Sequence, residues 1–258
     1  MKKAISVLLS LVIVLALAMT ASAAVTLDGK LDDWSGTWTT VNTANGKWQT
    51  ALKDGVTRDQ EYDVQYTVDG DFVYVAVKTN FAPIGVDPYG NGNGTNMRFW
   101  IFVEGAKLDG VDYTLYNYFV NYAYNPAGDK LTVYKNTKAI ENSAAVVDTP
   151  AGTEAKSVVG TDSWSVELKI PFAAFGATES LEAFVTVSSP LSIADGKAVD
   201  NNALFFPAFS DGTTEDTFAN APFKKWESAK ALKIDLTAAE ESEPAEESKR
   251  NSKITGNL

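Results

Sequence analysis

Short runs in which apolar and polar residues alternate are the feature that most restricts the fold of this chain. Trp164 to Ile170 alternates without a fault, and Tyr62 to Val68 does the same. This two-residue period is typical of a β-strand with one buried face, because successive side chains of a strand point to opposite sides of the sheet. The second run leads through the turn sequence Asp69-Gly70-Asp71 into Phe72 to Lys78, whose two apolar faces indicate a central strand.

Five further apolar runs predict strands, and clusters of Gly, Asn, Asp and Pro separate them. They are Met97 to Val103, Tyr113 to Tyr124, Leu131 to Tyr134, Ala183 to Ser188 and Ala231 to Leu236. No apolar pattern indicates a long helix, and only Phe172 to Phe175, after Pro171, is typical of a single helical turn. The sequence therefore predicts an all-β fold, an antiparallel two-sheet β-sandwich.

The two ends of the chain depart from this pattern. Lys2 and Lys3 precede an apolar run, and Ala21-Ser22-Ala23 supplies the small residues that signal peptidase accepts. We predict a cleaved signal peptide over residues 1–23, which makes the mature protein secreted or cell-surface; a retained N-terminal anchor is the alternative. Residues 238–258 are acidic and polar and lack aromatic residues, which predicts a disordered tail. One sandwich domain, residues 24–237, lies between them.

Composition excludes several classes of function. The chain has no cysteine and no histidine, which removes disulfides, thiolate metal sites and the commonest general base. Its net charge of −11 becomes −13 without Lys2 and Lys3 and repels phosphate backbones, so nucleic acid is not an expected partner. After the signal segment no apolar run is long enough to span a membrane. Neutral ligands and divalent cations remain possible partners.

Aromatic residues make up 11% of the chain and suit a carbohydrate ligand, because rings pack on the apolar faces of sugars. Within Tyr113 to Tyr124, alternation separates two sets of side chains. One face carries Tyr116, Tyr118, Tyr122 and Tyr124, and the other carries Asn117, Phe119 and Asn121. The pattern does not decide which face meets a ligand, and tyrosines packed between the sheets are the alternative. On Met97 to Val103, Trp100 is either an exposed platform or a ring buried under a loop.

Three clusters of oxygen-bearing side chains are candidates for a structural calcium ion, although turns use the same residues. They are Asp28 with Asp32 and Asp33, the loop Asp87 to Asn96, and Asp211 with Glu215 and Asp216. The loop lacks the spacing and terminal glutamate of a calcium-binding hand. Hydrolysis by a carboxylate pair such as Asp211 and Glu215 is the remaining catalytic alternative. We expect no enzyme activity.

Five segments, taken in order, carry a family pattern. Val25 to Trp34 contains Asp-Gly-Lys-Leu-Asp-Asp-Trp, and Asp69 to Val77 is a hairpin ending in Phe-Val-Tyr-Val-Ala-Val; Arg98 to Val103, Ser163 to Pro171 and Phe223 to Leu236 are the later strands. Together they resemble family 9 carbohydrate-binding modules, whose opening is Ile-Asp-Gly-x-Leu-Asp-Glu-x-Trp. The resemblance implies a jelly-roll-like sandwich of secreted or cell-surface glycan-handling proteins, often with bound calcium.

The resemblance also implies a ligand site. Sugar-binding members hold the terminal ring between two tryptophans and anchor its hydroxyls with a Glu, an Arg and an Asn. Phe218 lies at the position of one clamping ring, Tyr89 is the ring nearest the other, and Asn121 matches the anchoring Asn. Phe119 and Trp100 stand where the Arg and the Glu would be. The candidate ligand residues are therefore Trp100, Phe119, Asn121, Asn117, Tyr89 and Phe218.

We therefore expect a secreted, non-catalytic carbohydrate-binding module that docks a neutral polysaccharide or oligosaccharide on an aromatic face. A structural cell-envelope or protein-interaction domain that uses the same face without binding sugar is the alternative. A glycoside hydrolase is the third.

Overall fold

The computed structural model describes residues 25–49, 52, 55, 57–85, 94–194, 197–207 and 231–237. The predicted signal segment, the acidic tail, Tyr89 and Phe218 lie outside these residues, so the domain boundaries remain predictions. Across the described ranges, no helix has the length and apolarity required to cross a bilayer.

The described residues form strands β1 to β17 and one short 3₁₀ helix, Phe172–Phe175. The strands are β1 (Thr39–Val41), β2 (Lys47–Trp48), β3 (Tyr62–Asp69), β4 (Phe72–Thr79), β5 (Asn96–Phe102), β6 (Lys107–Leu108), β7 (Val111–Asp112), β8 (Tyr118–Ala123), β9 (Lys130–Asn136), β10 (Ala144–Val147), β11 (Glu154–Val159), β12 (Trp164–Pro171), β13 (Ser180–Ser189), β14 (Ser192–Ala194), β15 (Lys197–Val199), β16 (Asn202–Phe206) and β17 (Leu232–Asp235).

Two antiparallel sheets make up the sandwich. The smaller sheet has the order β1-β3-β4-β12-β11, and the larger sheet has the order β10-β9-β8-β5-β13-β16-β2, with β17 also paired to β13. All their strand pairs are antiparallel. The hairpins β6-β7 and β14-β15 form separate two-stranded sheets. The all-β antiparallel sandwich predicted from the sequence is confirmed.

The core lies between the sheets and takes one side of each alternating strand. Its members from β12 and β5 are at most 1% exposed: Trp164, Val166, Leu168, Ile170, Met97, Phe99 and Ile101. The two strands belong to opposite sheets but to one apolar cluster. The alternation in the sequence is therefore an alternation between core and outer face.

The prediction of a single strand over Tyr113 to Tyr124 is wrong in its first half, because β8 begins only at Tyr118. Tyr118 and Tyr122 pack into the core as alternation requires, whereas Tyr116 packs on the outer side of the larger sheet. The tyrosines switch from the outer side to the core at Asn117. Its side-chain oxygen accepts a hydrogen bond from the backbone N–H of Val103 at 2.6 Å. The residues before Asn117 leave the strand path and cover the outer face.

A buried carboxylate holds the opening segment, Val25 to Trp34, on the smaller sheet, and Ser165 Oγ of β12 also donates to the Gly29 carbonyl at 2.5 Å. Glu167 of β12 accepts hydrogen bonds from the backbone N–H of Asp28 at 2.8 Å, from the backbone N–H of Gly29, and from Trp34 Nε1 at 2.7 Å. Gly29 has a φ of 84°, and a Cβ there would lie 2.8 Å from the carbonyl carbon of Ser157, so glycine is required. Glu167 thus uses both oxygens to hold the fold.

Candidate functional site

The outer face of the larger sheet carries the predicted ligand residues. Side chains at equivalent register positions on β9, β8, β5 and β13 form two neighbouring rows, which we call the ring face. The aromatic row is Tyr134, Phe119, Trp100 and Phe184. The polar row is Thr132, Asn121, Arg98 and Thr186. Strand pairing therefore sets a line of rings beside a line of hydrogen-bonding groups.

The rings of this face pack tightly against one another. The Trp100 ring centroid lies 4.4 Å from that of Phe119 and 4.9 Å from that of Tyr116. Phe119 in turn stacks on Tyr134, with centroids 4.4 Å apart and ring planes 9° from parallel. Trp100 and Phe119 are only 4% and 7% exposed, whereas Tyr134 is half-buried. Of the two alternatives for Trp100, the structure shows the buried ring rather than the exposed platform.

Hydrogen bonding fixes the orientation of the Trp100 ring. Its Nε1 donates to Thr186 Oγ1 at 3.2 Å across the pair of strands β5 and β13. A buried indole N–H needs an acceptor, and Thr186 supplies one from the polar row. The indole is therefore held in place within the protein, with the rings of Tyr116, Phe119 and Phe205 packed around it.

Arg98 is the functional candidate that the residue-by-residue resemblance missed. Its Nε donates to Asn121 Oδ1 at 2.9 Å, and its guanidinium carbon lies 5.8 Å from the Trp100 ring centroid and 5.7 Å from that of Phe119. Both distances are within the range of cation–π attraction. Burial lowers the pKa of Arg98, but guanidinium titrates so far above neutral pH that the group stays charged.

The charge on Arg98 has no carboxylate partner within the part of the chain that the structure describes. One signal in the sequence leads to this residue: alternation puts it on the same side of β5 as Trp100. The register of β5 with β8, which the structure supplies, then sets it directly opposite Asn121. The resemblance placed Phe119 at the position of the family's arginine. An arginine does reach this face, but from the neighbouring strand.

The predicted ligand residues have different environments. Trp100, Phe119 and Asn121 lie together on the ring face, and all three are buried. Asn117 is also buried, but its side chain holds the Val103 backbone at the turn before β8. The structure therefore assembles part of the predicted set, together with Arg98.

No family model and no curated protein matches the chain. Among solved structures, the chain is similar to a family 9 carbohydrate-binding module from Caldicellulosiruptor kristjanssonii in complex with glucose and in complex with cellotriose. The identities are 11% and 12% and the TM-scores 0.42 and 0.41; the matches cover 83% of this chain and 91% and 89% of those chains. The cytochrome domain of Myriococcum thermophilum cellobiose dehydrogenase is similar at 8% identity and a TM-score of 0.29, over 70% of this chain and 91% of that chain. Both Caldicellulosiruptor structures are of the family that the five sequence segments resemble.

The carboxylates near the opening segment do not fit a calcium site. Asp28 accepts a hydrogen bond from the Lys30 backbone and pairs with Lys30 Nζ, both at 2.9 Å, and the side-chain bond with Lys30 lowers the pKa of Asp28. Asp33 Oδ2 accepts from the Thr26 backbone at 2.5 Å. Over the described ranges, no group of three or more acidic side chains converges on one point. The Asp211 cluster and most of the Asp87 loop lie outside them, so calcium stays a prediction.

Proposed function

We propose that this protein is a secreted, non-catalytic module that binds a neutral glycan on the ring face, with Arg98 as the principal hydrogen-bond donor. The observation that supports this most directly is the Arg98 guanidinium, which is held by Asn121 and two aromatic rings and has no carboxylate partner among the described residues. Its terminal nitrogens are donors suited to the oxygen atoms of a sugar.

The burial of the rings assigns them a supporting role. Trp100 and Phe119 fix the position of Arg98, while the half-buried Tyr134 at the end of the aromatic row offers ring surface to a sugar. A ligand would thus meet Arg98 for its hydroxyls and Tyr134 for its apolar face. The chain's net charge of −11 repels acidic glycans and favours neutral ones.

The described carboxylates give little support to a hydrolase. Glu167 is fully engaged by the opening segment, and Glu182, which lies on the outer face of β13, is 3.8 Å from Lys233. Burial raises the pKa of Glu182, but glycoside hydrolysis requires two carboxyl groups at a defined separation on either side of the bond. We therefore propose binding without catalysis.

The test is a binding screen of the full chain against soluble and insoluble polysaccharides, with and without a calcium chelator, together with an assay for reducing-sugar release. The deciding variant is Arg98→Gln, which keeps a partner for Asn121 and removes the charge. We expect its affinity for the bound glycan to fall about tenfold or more, since a hydrogen bond from a charged donor is lost. Loss of binding on chelation would support a calcium ion in the fold.

The matched control is Lys169→Gln. Lys169 Nζ lies 4.2 Å from the Phe72 ring centroid on the smaller sheet, so this variant also removes a cation from a ring but far from the ring face. Its affinity should equal that of the wild type. Equal affinity of Arg98→Gln and wild type, or a folded protein that binds no glycan, would contradict the proposal; sugar release would contradict its non-catalytic part.

A protein-interaction domain is the second candidate, and the sheet edges favour it. β10 ends the larger sheet and β11 ends the smaller one, and they carry the exposed valines Val146, Val158 and Val159. Exposed apolar edge strands are sites for pairing with another chain. Self-association measured by sedimentation, and lost in Val159→Lys, would support this function; a monomer that binds glycan would contradict it.

A further inference from the structure

A separate pocket of 480 Å³ lies at the free edge of β3 in the smaller sheet. β1 pairs with only the first three residues of β3, so no described strand lies beside the backbone from Gln65 to Thr67 on that side. The opening segment and the loop up to β1 form the rest of the wall. Apolar residues line it as well: Val25 of the opening segment, Val64 of the smaller sheet, and Phe206 and Leu232 of the larger sheet.

Two oxygen atoms of the residues that line this pocket are buried without a hydrogen bond. Asp33 uses Oδ2 to accept from Thr26, but neither its Oδ1 nor Gln65 Oε1 has a donor among the residues that the structure describes. A buried acceptor without a donor is destabilising, and more so when it belongs to a carboxylate. None of the described residues that line the pocket is a lysine or an arginine. The pocket therefore combines one negative charge, unused acceptors and apolar surface.

We propose that this pocket binds a small organic cation, an alkylammonium or alkylguanidinium group, with its charged end at Asp33 and its alkyl part on the apolar lining. Such a group is a pure donor, so it supplies hydrogen bonds to both Asp33 Oδ1 and Gln65 Oε1 and neutralises the carboxylate. A neutral sugar leaves that charge uncompensated. Calcium prefers six to eight oxygen ligands with several carboxylates, and this pocket offers one carboxylate. The overall negative charge raises the local concentration of cations.

The experiment is a titration of the full chain, followed by ¹H–¹⁵N NMR, with n-butylammonium as the probe and 1-pentanol as a neutral compound one carbon longer. We expect n-butylammonium, and not 1-pentanol, to shift the amide signals of Gln65 and its neighbours. Two arms identify the source of the group: free n-butylammonium represents a small amine, and the blocked peptide Gly-Lys-Gly represents a protein side chain. Tighter binding of the peptide would assign a protein partner, and tighter binding of the amine a metabolite.

Asp33→Asn is the deciding variant, and Asp32→Asn is its control. Asp32 is exposed and does not line the pocket, so the control removes the same charge one residue away. We expect about a tenfold or greater loss of n-butylammonium affinity in Asp33→Asn, because a charge-assisted hydrogen bond is lost, and no change in the control. Equal losses in both variants, or no loss in either, would overturn the proposal. So would equal responses to n-butylammonium and 1-pentanol, or displacement of the probe by glucose or calcium.

A second variant guards against misfolding of Asp33→Asn, in which the contact with Thr26 changes. A Cβ on Gly36 would lie 2.0 Å from Gln65 Nε2, and Gly36 does not have a positive φ, so Gly36→Ala displaces the Gln65 amide and leaves Asp33 intact. We expect this variant to keep the wild-type spectrum outside the pocket and to bind n-butylammonium more weakly. Unchanged affinity in a folded Gly36→Ala would exclude Gln65 as a ligand and overturn the two-acceptor geometry.

Discussion

Replacing Glu167 by glutamine tests how much this buried carboxylate contributes to holding the opening segment on the smaller sheet. The substitution preserves the size of the side chain and removes its charge. Glu167 is fully buried and accepts three hydrogen bonds, two of them at Oε2 from Asp28 and Gly29 and one at Oε1 from Trp34. The glutamine amide has only one accepting oxygen, so its NH₂ group must face either the indole N–H of Trp34 or the two backbone N–H groups.

The expected loss of stability follows from these contacts. A hydrogen bond to a charged group contributes about 1.5–3 kcal/mol, and a buried donor left without a partner costs a similar amount. Glu167→Gln weakens every bond that remains and breaks at least one, so we expect the free energy of unfolding to fall by about 2–5 kcal/mol. That is a large part of the roughly 5–15 kcal/mol typical of a domain, and it corresponds to a decrease in Tm of about 10 °C.

Urea unfolding followed by near-ultraviolet circular dichroism measures this change, and hydrogen exchange at Asp28 and Gly29 shows whether the opening segment detaches first. The control is Glu154→Gln. Glu154 is an exposed carboxylate on the neighbouring strand, 3.4 Å from Lys169 Nζ, and such surface pairs contribute at most about 1 kcal/mol. If the two variants lose the same stability, or if Glu167→Gln stays within about 0.5 kcal/mol of the wild type, the attachment does not depend on Glu167.

Two further predictions concern stability. Gly29→Ala should be less stable than Gly105→Ala by about 1–3 kcal/mol, because both glycines have a positive φ but a Cβ at Gly105 meets nothing within 4 Å; equal urea midpoints would contradict the close approach to Ser157. Burial raises the pKa of Tyr116 to about 12 and also raises the pKa of Tyr62 and Tyr122. Tyrosines in the unfolded chain ionise near pH ~10, so the unfolded state binds fewer protons above that pH and stability should fall between about pH 10 and pH 12. Urea midpoints across this range should fall less steeply in Tyr116→Phe, and an unchanged slope would show that Tyr116 is not the titrating group.

The strands that could be predicted from the sequence are those with a long alternating or continuous apolar run. β12 and β3 alternate without interruption, β4 has two apolar faces, and the structure buries one apolar set of each against the other sheet. The helical turn after Pro171 was also predicted, since proline suits the start of a helix. In these strands and this turn, the pattern of apolar residues along the sequence matches the pattern of buried residues in the fold.

Most strands that escaped prediction are exposed on both faces or very short; the exception is β16, which is buried on both faces and so shows no alternation. β10 and β11 lie at the sheet edges and bury little of either side, so their side chains carry no periodic apolar signal. The break at Asn117 was hidden for a different reason. The tyrosines before and after it keep the same spacing, and only the long-range hydrogen bond to Val103 separates a loop from a strand.

The candidate site was predicted only in part because it depends on register. Alternation places Arg98 and Trp100 on one side of β5, but pairing with β8 decides that Arg98 meets Asn121. A slip of one residue would send the charged side chain into the core. The burial of Trp100 likewise depends on Tyr116 and Phe205, which come from distant parts of the chain.

This arrangement also determines which substitution can reveal the function. A Trp100→Ala change removes a buried ring that packs on Phe119, and loss of such a ring typically costs about 3–5 kcal/mol. Lost binding in that variant would not separate a ring that contacts the ligand from one that supports Arg98. Arg98→Gln leaves the rings of the face and the core side of β5 in place, so a change in affinity at constant stability can be assigned to the guanidinium. The alternation of β5 thus separates the residues that fold the sandwich from the residue that we propose meets the sugar.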